Sequence, residues 1–351
     1  MNYRAVLLAL LSAALFGVST PAAKALLSVV DPNILAGLFY CGAGIGVALL
    51  RRFILPSIVP NAPSEASLGH RDWPWLGGAI AAGGVAGPIL LMFGLERTDA
   101  STASLLLTLE GVATALLAWF VFNENFDRRI ALGMASIVAG AVVLSWAGTP
   151  TPTGPLGPLA IVGACVAWGL DNNLTRKVSL ADPLQIVELK GLIAGPVNLL
   201  LGLSAGGAIP NIPALLTAGV VGFLGYGVSI ALFVLALRHL GTARTGAYFS
   251  TAPFLGALGA IVFLQEPVTA ALAIAGLLMA FGIWLHLTEV HVHEHEHEPI
   301  DHSHSHVHDA HHQHGHRAVD PLGEPHTHPH RHTRLRHKHS HVPDMHHTHR
   351  H

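Results

Sequence analysis

Leu15-Phe16-Gly17, followed by Lys24 and Asp31-Pro32, returns in the second half of the chain as Ala167-Trp168-Gly169, followed by Arg176 and Asp182-Pro183. A second echo lies further along each half, where Phe122-Asn123-Glu124 matches Leu264-Gln265-Glu266. Two motifs in the same order and at similar spacing mark an internal repeat. The stretches that carry them are long and apolar. A bilayer span needs roughly 20 mostly apolar residues, and ten such stretches can be read. They cover about 5–27, 33–50, 73–95, 101–122, 130–148, 158–178, 183–204, 212–237, 242–264 and 268–287. A Pro/Gly/Thr-rich break, 149–157, separates five spans from five. Five is odd, so the halves must lie antiparallel in the membrane.

Charge supports the same layout. Only 11% of the 351 residues are Asp, Glu, Lys or Arg, against about 25% in a soluble protein. The first 290 residues hold 13 of each sign. This body is therefore not a soluble enzyme, a nucleic-acid binder or a disordered scaffold. Pro21, Pro88, Pro196 and Pro253 interrupt the spans, as membrane bundles tolerate. With the N-terminus inside, the cytoplasmic ends and loops collect Arg4, Arg51, Arg52, Arg71, Arg128, Arg129, Arg176, Lys177, Arg238 and Arg244, and the outer loops only Arg97. Both termini are expected in the cytoplasm of a multi-pass cell-membrane protein. A cleavable signal peptide is the rival reading of the first 25 residues, with its early Arg4 and Ala23-Lys24-Ala25 ending. The repeat uses that segment as a full partner, so a first span is expected instead.

The fold class that follows is all-α: ten transmembrane helices in two inverted five-helix repeats (1–148 and 158–290), plus a disordered tail (291–351). This layout resembles the EamA-type transporters of the drug/metabolite transporter superfamily over about residues 5–287. The likeness rests on the duplicated ten spans, Phe16-Gly17 and Trp168-Gly169, the Glu after spans four and nine, and Pro253 in span nine. The resemblance implies an alternating-access carrier, commonly an exporter, with a central cavity lined by spans one to four and six to nine. It departs at span four, where Glu110-Gly111 stands in place of the mate Ala252-Pro253.

Glu110 is the sharpest candidate for transport. An ionised acid at the bilayer centre costs about 2.5–3.5 kcal/mol on insertion scales, so it faces a cavity or a partner. It can hold a proton or a cation, and proton coupling follows; a structural hydrogen bond is the alternative. Asp171, Asn172 and Asn173 in span six have Ser19-Thr20-Pro21 of span one as repeat mate, and paired polar interruptions point to a transporter site. The alternative is that Asp171 pairs with Lys190 or Arg176 and locks the bundle. Glu188 and Lys190 open span seven within reach of the cavity or of interfacial water. Trp168, Tyr248 and Ser250 are cavity-wall candidates, Lys24 is an interfacial anchor, and Cys41 and Cys165 are small buried hydrophobes.

From His291 the chain changes character. Its last 61 residues carry 23 of the 26 histidines, with no run of six. His291, His293, His295 and His297, then His302, His304, His306 and His308, recur at period two. Neutral imidazole suits Ni, Co, Zn and Cu, and histidine-rich tracts read as metal binding. The alternative is a solvated tail that becomes cationic below about pH 6.5. With few apolar residues the segment is expected to be disordered when free. No enzyme signature and no need for a resident cofactor are seen. The expected partners are the lipid bilayer and a small solute or metal-ion cargo, with no nucleic acid. Glu110, Asp171 and the tail favour export of a divalent transition metal such as nickel or cobalt, with the tail as collector. Export of a small organic metabolite such as an amino acid is the second expectation, and a membrane-anchored metal store the third.

Overall fold

The computed structural model describes residues 3–58, 68–121, 128–147, 155–178, 181–240, 245, 248–287, 291–297, 301–306, 326–331 and 335–341. Phe122-Asn123-Glu124, Arg244, most of the linker and His308 lie outside them. Helices stand at all ten expected places. Among the described residues, seven are long and apolar enough to cross a membrane: Arg4–Leu26, Pro32–Ile54, Trp73–Glu96, Ala100–Phe120, Arg128–Ser145, Pro183–Ser204 and Ile212–Phe233. Two shorter apolar helices, Ala252–Phe263 and Ala270–Leu285, follow. The tenth, Leu156–Arg176, has the length but carries Asp171-Asn172-Asn173, which lowers its hydropathy.

The helices are α1 Tyr3–Leu26, α2 Pro32–Leu49, α3 Leu55–Ile58, α4 Trp73–Ala79, α5 Gly87–Glu96, α6 Ala100–Leu106, α7 Leu109–Phe120, α8 Arg128–Ala147, α9 Leu156–Arg176, α10 Pro183–Ser204, α11 Ile212–Gly222, α12 Ser229–Leu240, α13 Ala252–Phe263 and α14 Ala270–Leu287. Several spans are composites. Span three is α4 and α5 joined by a π-helical turn, Ile80–Ala86, and span eight is α11 and α12 joined by another, Phe223–Val228. The two turns occupy the same place in the two repeats. Such bulges arise often at functional sites. Span four breaks between α6 and α7, where the Thr108 hydroxyl donates to the Leu105 carbonyl at 2.7 Å. Span nine breaks just before α13, where the Thr251 hydroxyl donates to the Tyr248 carbonyl at 2.6 Å.

Large apolar side chains cover the outside: Leu7, Phe53, Leu200, Phe263 and Leu277 are all exposed, as a lipid-facing surface requires. Inside, helices meet at small residues, the packing expected where lipid offers no hydrophobic push between helices. Spans two and seven cross at glycines, where a Cβ on Gly44 would lie 2.6 Å from the Leu192 amide nitrogen. Spans one and eight are tied by buried serines, with the Ser12 hydroxyl donating to the Ser229 carbonyl at 2.7 Å and the Ser229 hydroxyl to the Ser12 carbonyl at 2.9 Å.

The tail differs from the disorder expected for it. Its described residues form four strands, β1 His291–His297, β2 Asp301–His306, β3 His326–Arg331 and β4 Leu335–His341. They pair antiparallel as β1 with β4 and β2 with β3. Composition alone gives the tail no core, but its period-two alternation is the pattern of an extended strand.

Candidate functional site

The helix break in span four puts Glu110 in the first turn of α7. Across from it, α9 carries Asp171-Asn172-Asn173 at the end of span six. Glu110 Oε1 accepts from Asn172 Nδ2 at 2.9 Å, and the same nitrogen lies 3.1 Å from the Thr114 hydroxyl. That hydroxyl donates to the Glu110 carbonyl at 2.8 Å. Asn173 Nδ2 donates to the carbonyls of Gly169 at 2.8 Å and Thr114 at 3.1 Å, holding α9 against α7. Gly169 makes this approach feasible, since a Cβ there would lie 2.8 Å from the Thr114 amide nitrogen. Asn172 is exposed and Glu110 half-buried, so this carboxylate–amide pair can be reached from outside the packed core.

Asp171 has a different partner. Lys190 Nζ donates to Asp171 Oδ1 at 2.5 Å and to the Thr175 hydroxyl at 2.9 Å, and that hydroxyl donates to Asp171 Oδ1 at 2.8 Å. This is the pairing weighed in the sequence as the locking alternative. Glu188 points elsewhere: Arg51, at the end of span two, bridges Glu188 and Asp182 at 2.6 Å each. Lys190 and Glu188, two residues apart, thus serve separate ion-pair groups. Glu110 is within electrostatic reach of Asp171, Lys190, Tyr40 and Tyr226.

The π-helical turn of span three forms the wall beside Asp171. A π turn interrupts the regular carbonyl ladder, and side chains from other helices take up its carbonyls. Gly83 O accepts from Tyr40 OH at 2.7 Å and Trp168 Nε1 at 2.9 Å, and Gly84 O accepts from Asn198 Nδ2 at 2.9 Å. A Cβ on Gly83 would collide with the Asp171 carboxylate. In the other repeat the mate Gly225 faces Ser19, whose Cβ would be 2.7 Å from an added Cβ. Ser19 is buried and donates to the Phe16 carbonyl at 2.6 Å. Around it the rings are aromatic: Tyr226 lies 5.7 Å from Phe16, 5.8 Å from Phe39 and 5.7 Å from Tyr40, and Phe249 lies 5.4 Å from Phe16. Tyr248, half-buried, sits on the broken segment of span nine beside Phe249.

Of the candidates, Glu110, Asn172, Asn173, Asp171, Lys190 and Trp168 therefore come together, and Ser19 lies at the mirror position. Glu188 joins a separate network. Tyr40, Arg51, Thr114, Thr175, Asn198 and Tyr226 were missed. Only Arg51 left a trace in the sequence, as a loop charge; the rest became visible when helices distant in sequence met. Two expected end-of-span charges act as helix caps. Lys24 Nζ donates to the carbonyls of Leu95, Glu96 and Thr98 at 2.7, 3.2 and 2.9 Å, where a cation favourably faces a helix C-terminus. Glu266 accepts from the amides of Ala100 and Ser101 at 2.7 and 2.8 Å, capping the start of span four. A cavity of about 470 Å³ opens at the far end of α2 from Arg51, lined by Asp31, Asn33, Phe93, Glu96 and Arg97; Glu110 is not among its lining residues.

Both halves match one family model, described as the EamA-like transporter family, at residues 3–146 and again at 155–288. The chain is 28% identical over 284 residues to an uncharacterized transporter of Methanothermobacter thermautotrophicus, covering 77% of this chain and 82% of that one. It is 27% identical over 282 residues to the uncharacterized transporter YvbV of Bacillus subtilis, covering 76% and 85%. A shorter relative, a probable 4-amino-4-deoxy-L-arabinose-phosphoundecaprenol flippase subunit ArnE of Pseudomonas fluorescens, is 29% identical over 113 residues, 32% of this chain and 96% of its own. One solved structure, titled only as the crystal structure of a protein, has the same fold with a TM-score of 0.57 at 19% identity, covering 81% of this chain and 97% of its own.

Proposed function

The chain belongs to the EamA-like transporter family, and from that premise we propose that it is a proton-coupled exporter of a small organic solute bearing one ammonium group, working by alternating access. In this reading all ten helical segments cross the cell membrane as inverted five-helix repeats with both termini in the cytoplasm, and Glu110 is the group that exchanges cargo for a proton. The observation that carries the cargo class is the 2.5 Å bond from Lys190 to Asp171. It neutralises one of the two acids expected to ligate a cation and leaves an ammonium within electrostatic reach of the other. The trio Glu110, Asp171 and Lys190 then has one net negative charge. A monovalent organic cation, or the amino end of a zwitterion, matches that charge, whereas a divalent ion also meets the repulsion of Lys190. The rings of Tyr40, Trp168 and Tyr226 suit the apolar part of such a solute and the cationic part alike.

Export of nickel or cobalt is the second reading, favoured by the 23 histidines of the tail, which would collect ions at the cytoplasmic mouth. Proteoliposomes with an imposed pH gradient separate the two. Counterflow of radiolabelled amino acids and small amines, dependent on the gradient and absent in Glu110→Gln, is the expected outcome. Gradient-driven flux of labelled nickel or cobalt with no organic counterflow would replace the first reading by the second. A reporter active only outside the membrane, fused after His351, should stay silent; strong activity would overturn the orientation.

A further inference from the structure

The strands of the tail are in a particular register. His291 is opposite His341, His293 opposite His339 and His295 opposite His337 in the β1–β4 ladder. In the β2–β3 ladder His302 is opposite His330, His304 opposite His328 and His306 opposite His326. Counted along the chain, the first register continues into the second without a slip. The positions between the histidines carry an independent pattern: Glu294 is opposite Lys338, Glu296 opposite Arg336 and Asp301 opposite Arg331. Residues alternate between the faces of a strand at period two. One face of each ladder therefore collects histidine positions in opposed pairs; the other carries two acid–base pairs beside Val292–Ser340 in β1–β4, and one acid–base pair beside Ser303–Pro329 and Ser305–Thr327 in β2–β3. A slip of one residue would break every histidine pair of both ladders and, in β1–β4, set histidines against the charged positions. His297, opposite Leu335, lies outside the pairing.

Directly opposed positions have Cβ atoms roughly 4.5–5.5 Å apart, a gap that two imidazoles can close on one ion at metal–nitrogen distances of about 2.0–2.1 Å. A two-stranded ladder is marginal in water by itself, and this one has few apolar residues with which to hold together. We infer that the tail is a metal-closed hairpin: opposed histidine pairs each supply two neutral imidazole nitrogens to a divalent ion of the zinc, nickel, cobalt and copper class, and the ions clamp β1 to β4 and β2 to β3. Binding and strand formation are then one event. The inference is independent of which cargo the bundle carries.

The test titrates NiCl2 and ZnCl2 into the full-length chain in detergent micelles, read by calorimetry and by far-ultraviolet circular dichroism. Wild type should gain strand signal as metal binds; binding with no such gain would overturn the hairpin. The composition-preserving variant His293→Glu/Glu294→His/His295→Glu/Glu296→His keeps every histidine and every charge but moves two histidines to the other face. We expect at least a tenfold weaker affinity at the β1–β4 ladder, and unchanged binding would show that composition alone matters. A second set replaces His291, His293 and His295 by Ser, or His337, His339 and His341 by Ser, or all six. Opposed pairing predicts that either triple already removes all the ions of this ladder and that the six-fold variant removes no more. Losses that add would overturn the pairing. Gel filtration keeps the comparison to variants with an intact bundle.

Discussion

The two repeats build the same joint twice and furnish it differently. In each, a π-helical turn brings a glycine of one repeat against a polar residue of the other: Gly83 against Asp171, and Gly225 against Ser19. In each, the neighbouring span breaks at a threonine hydroxyl bonded back to a carbonyl three residues earlier. The backbone of the two joints is thus built alike. The side chains are not. One joint holds the Asp171–Lys190 ion pair beside Glu110, and the other holds a serine within a ring of Phe16, Tyr226 and Phe249. In the proposed alternating-access cycle the repeated backbone supplies the two related states, and the charged joint supplies the coupling site.

The largest way to break that contrast is to strand a charge. Lys190→Met leaves Asp171 without its ammonium, and removing one partner of a buried pair costs about 3–5 kcal/mol. A strongly lowered melting temperature in detergent is expected, with substantial recovery in Lys190→Met/Asp171→Asn; a variant as stable as wild type would mean the pair does not hold the joint. Next is Ser19→Asp, which copies the charged joint into the neutral one without a lysine. An acid at this depth costs about 2.5–3.5 kcal/mol, so insertion and yield should fall, and normal yield would show the aromatic joint to be hydrated. Third, Gly83→Ala and Gly225→Ala add one methyl to each joint, a change worth about 1–3 kcal/mol in a packed interior. The loss should be larger at Gly83, where the methyl meets the Asp171 carboxylate, than at Gly225, where it meets Ser19; equal melting shifts would remove the asymmetry. The smallest effect is expected from ending the chain at residue 287. The described strands of the tail pair with one another, so truncation should leave the melting temperature of the bundle within measurement error.

Much of this was legible because span length and apolar content are local properties of sequence. So was the repeat, since Phe16-Gly17 and Trp168-Gly169 keep their neighbours. The contacts that make the site were not. Asn172 meets Glu110, and Arg51 meets Asp182 and Glu188, across separations that no periodicity encodes. The π turns were hidden too: Gly83 and Gly225 look like ordinary small residues of membrane helices until the Gly83 carbonyl meets Tyr40 and Trp168 and Gly225 meets Ser19. In the tail, composition argued for disorder, and the opposed charges that accompany the strands lie 30 or more residues apart in sequence.

The broken helix at Thr108 has a consequence for the empty carrier. Because α7 begins anew at Leu109, Glu110 is the acid of its first turn, and its own amide donates back across the break to the Leu107 carbonyl at 3.1 Å. A carboxylate there gains roughly 0.3–1 kcal/mol from the aligned peptide dipoles. That fixed counter-charge travels with the helix itself. In the proposed cycle this contribution would favour the charged form of Glu110 after cargo leaves, beside its bond to Asn172. Span nine has the same break but no acid at its α13 start, where Ala252 and Pro253 stand instead. The same broken-helix geometry thus carries a carboxylate in one repeat and none in the other.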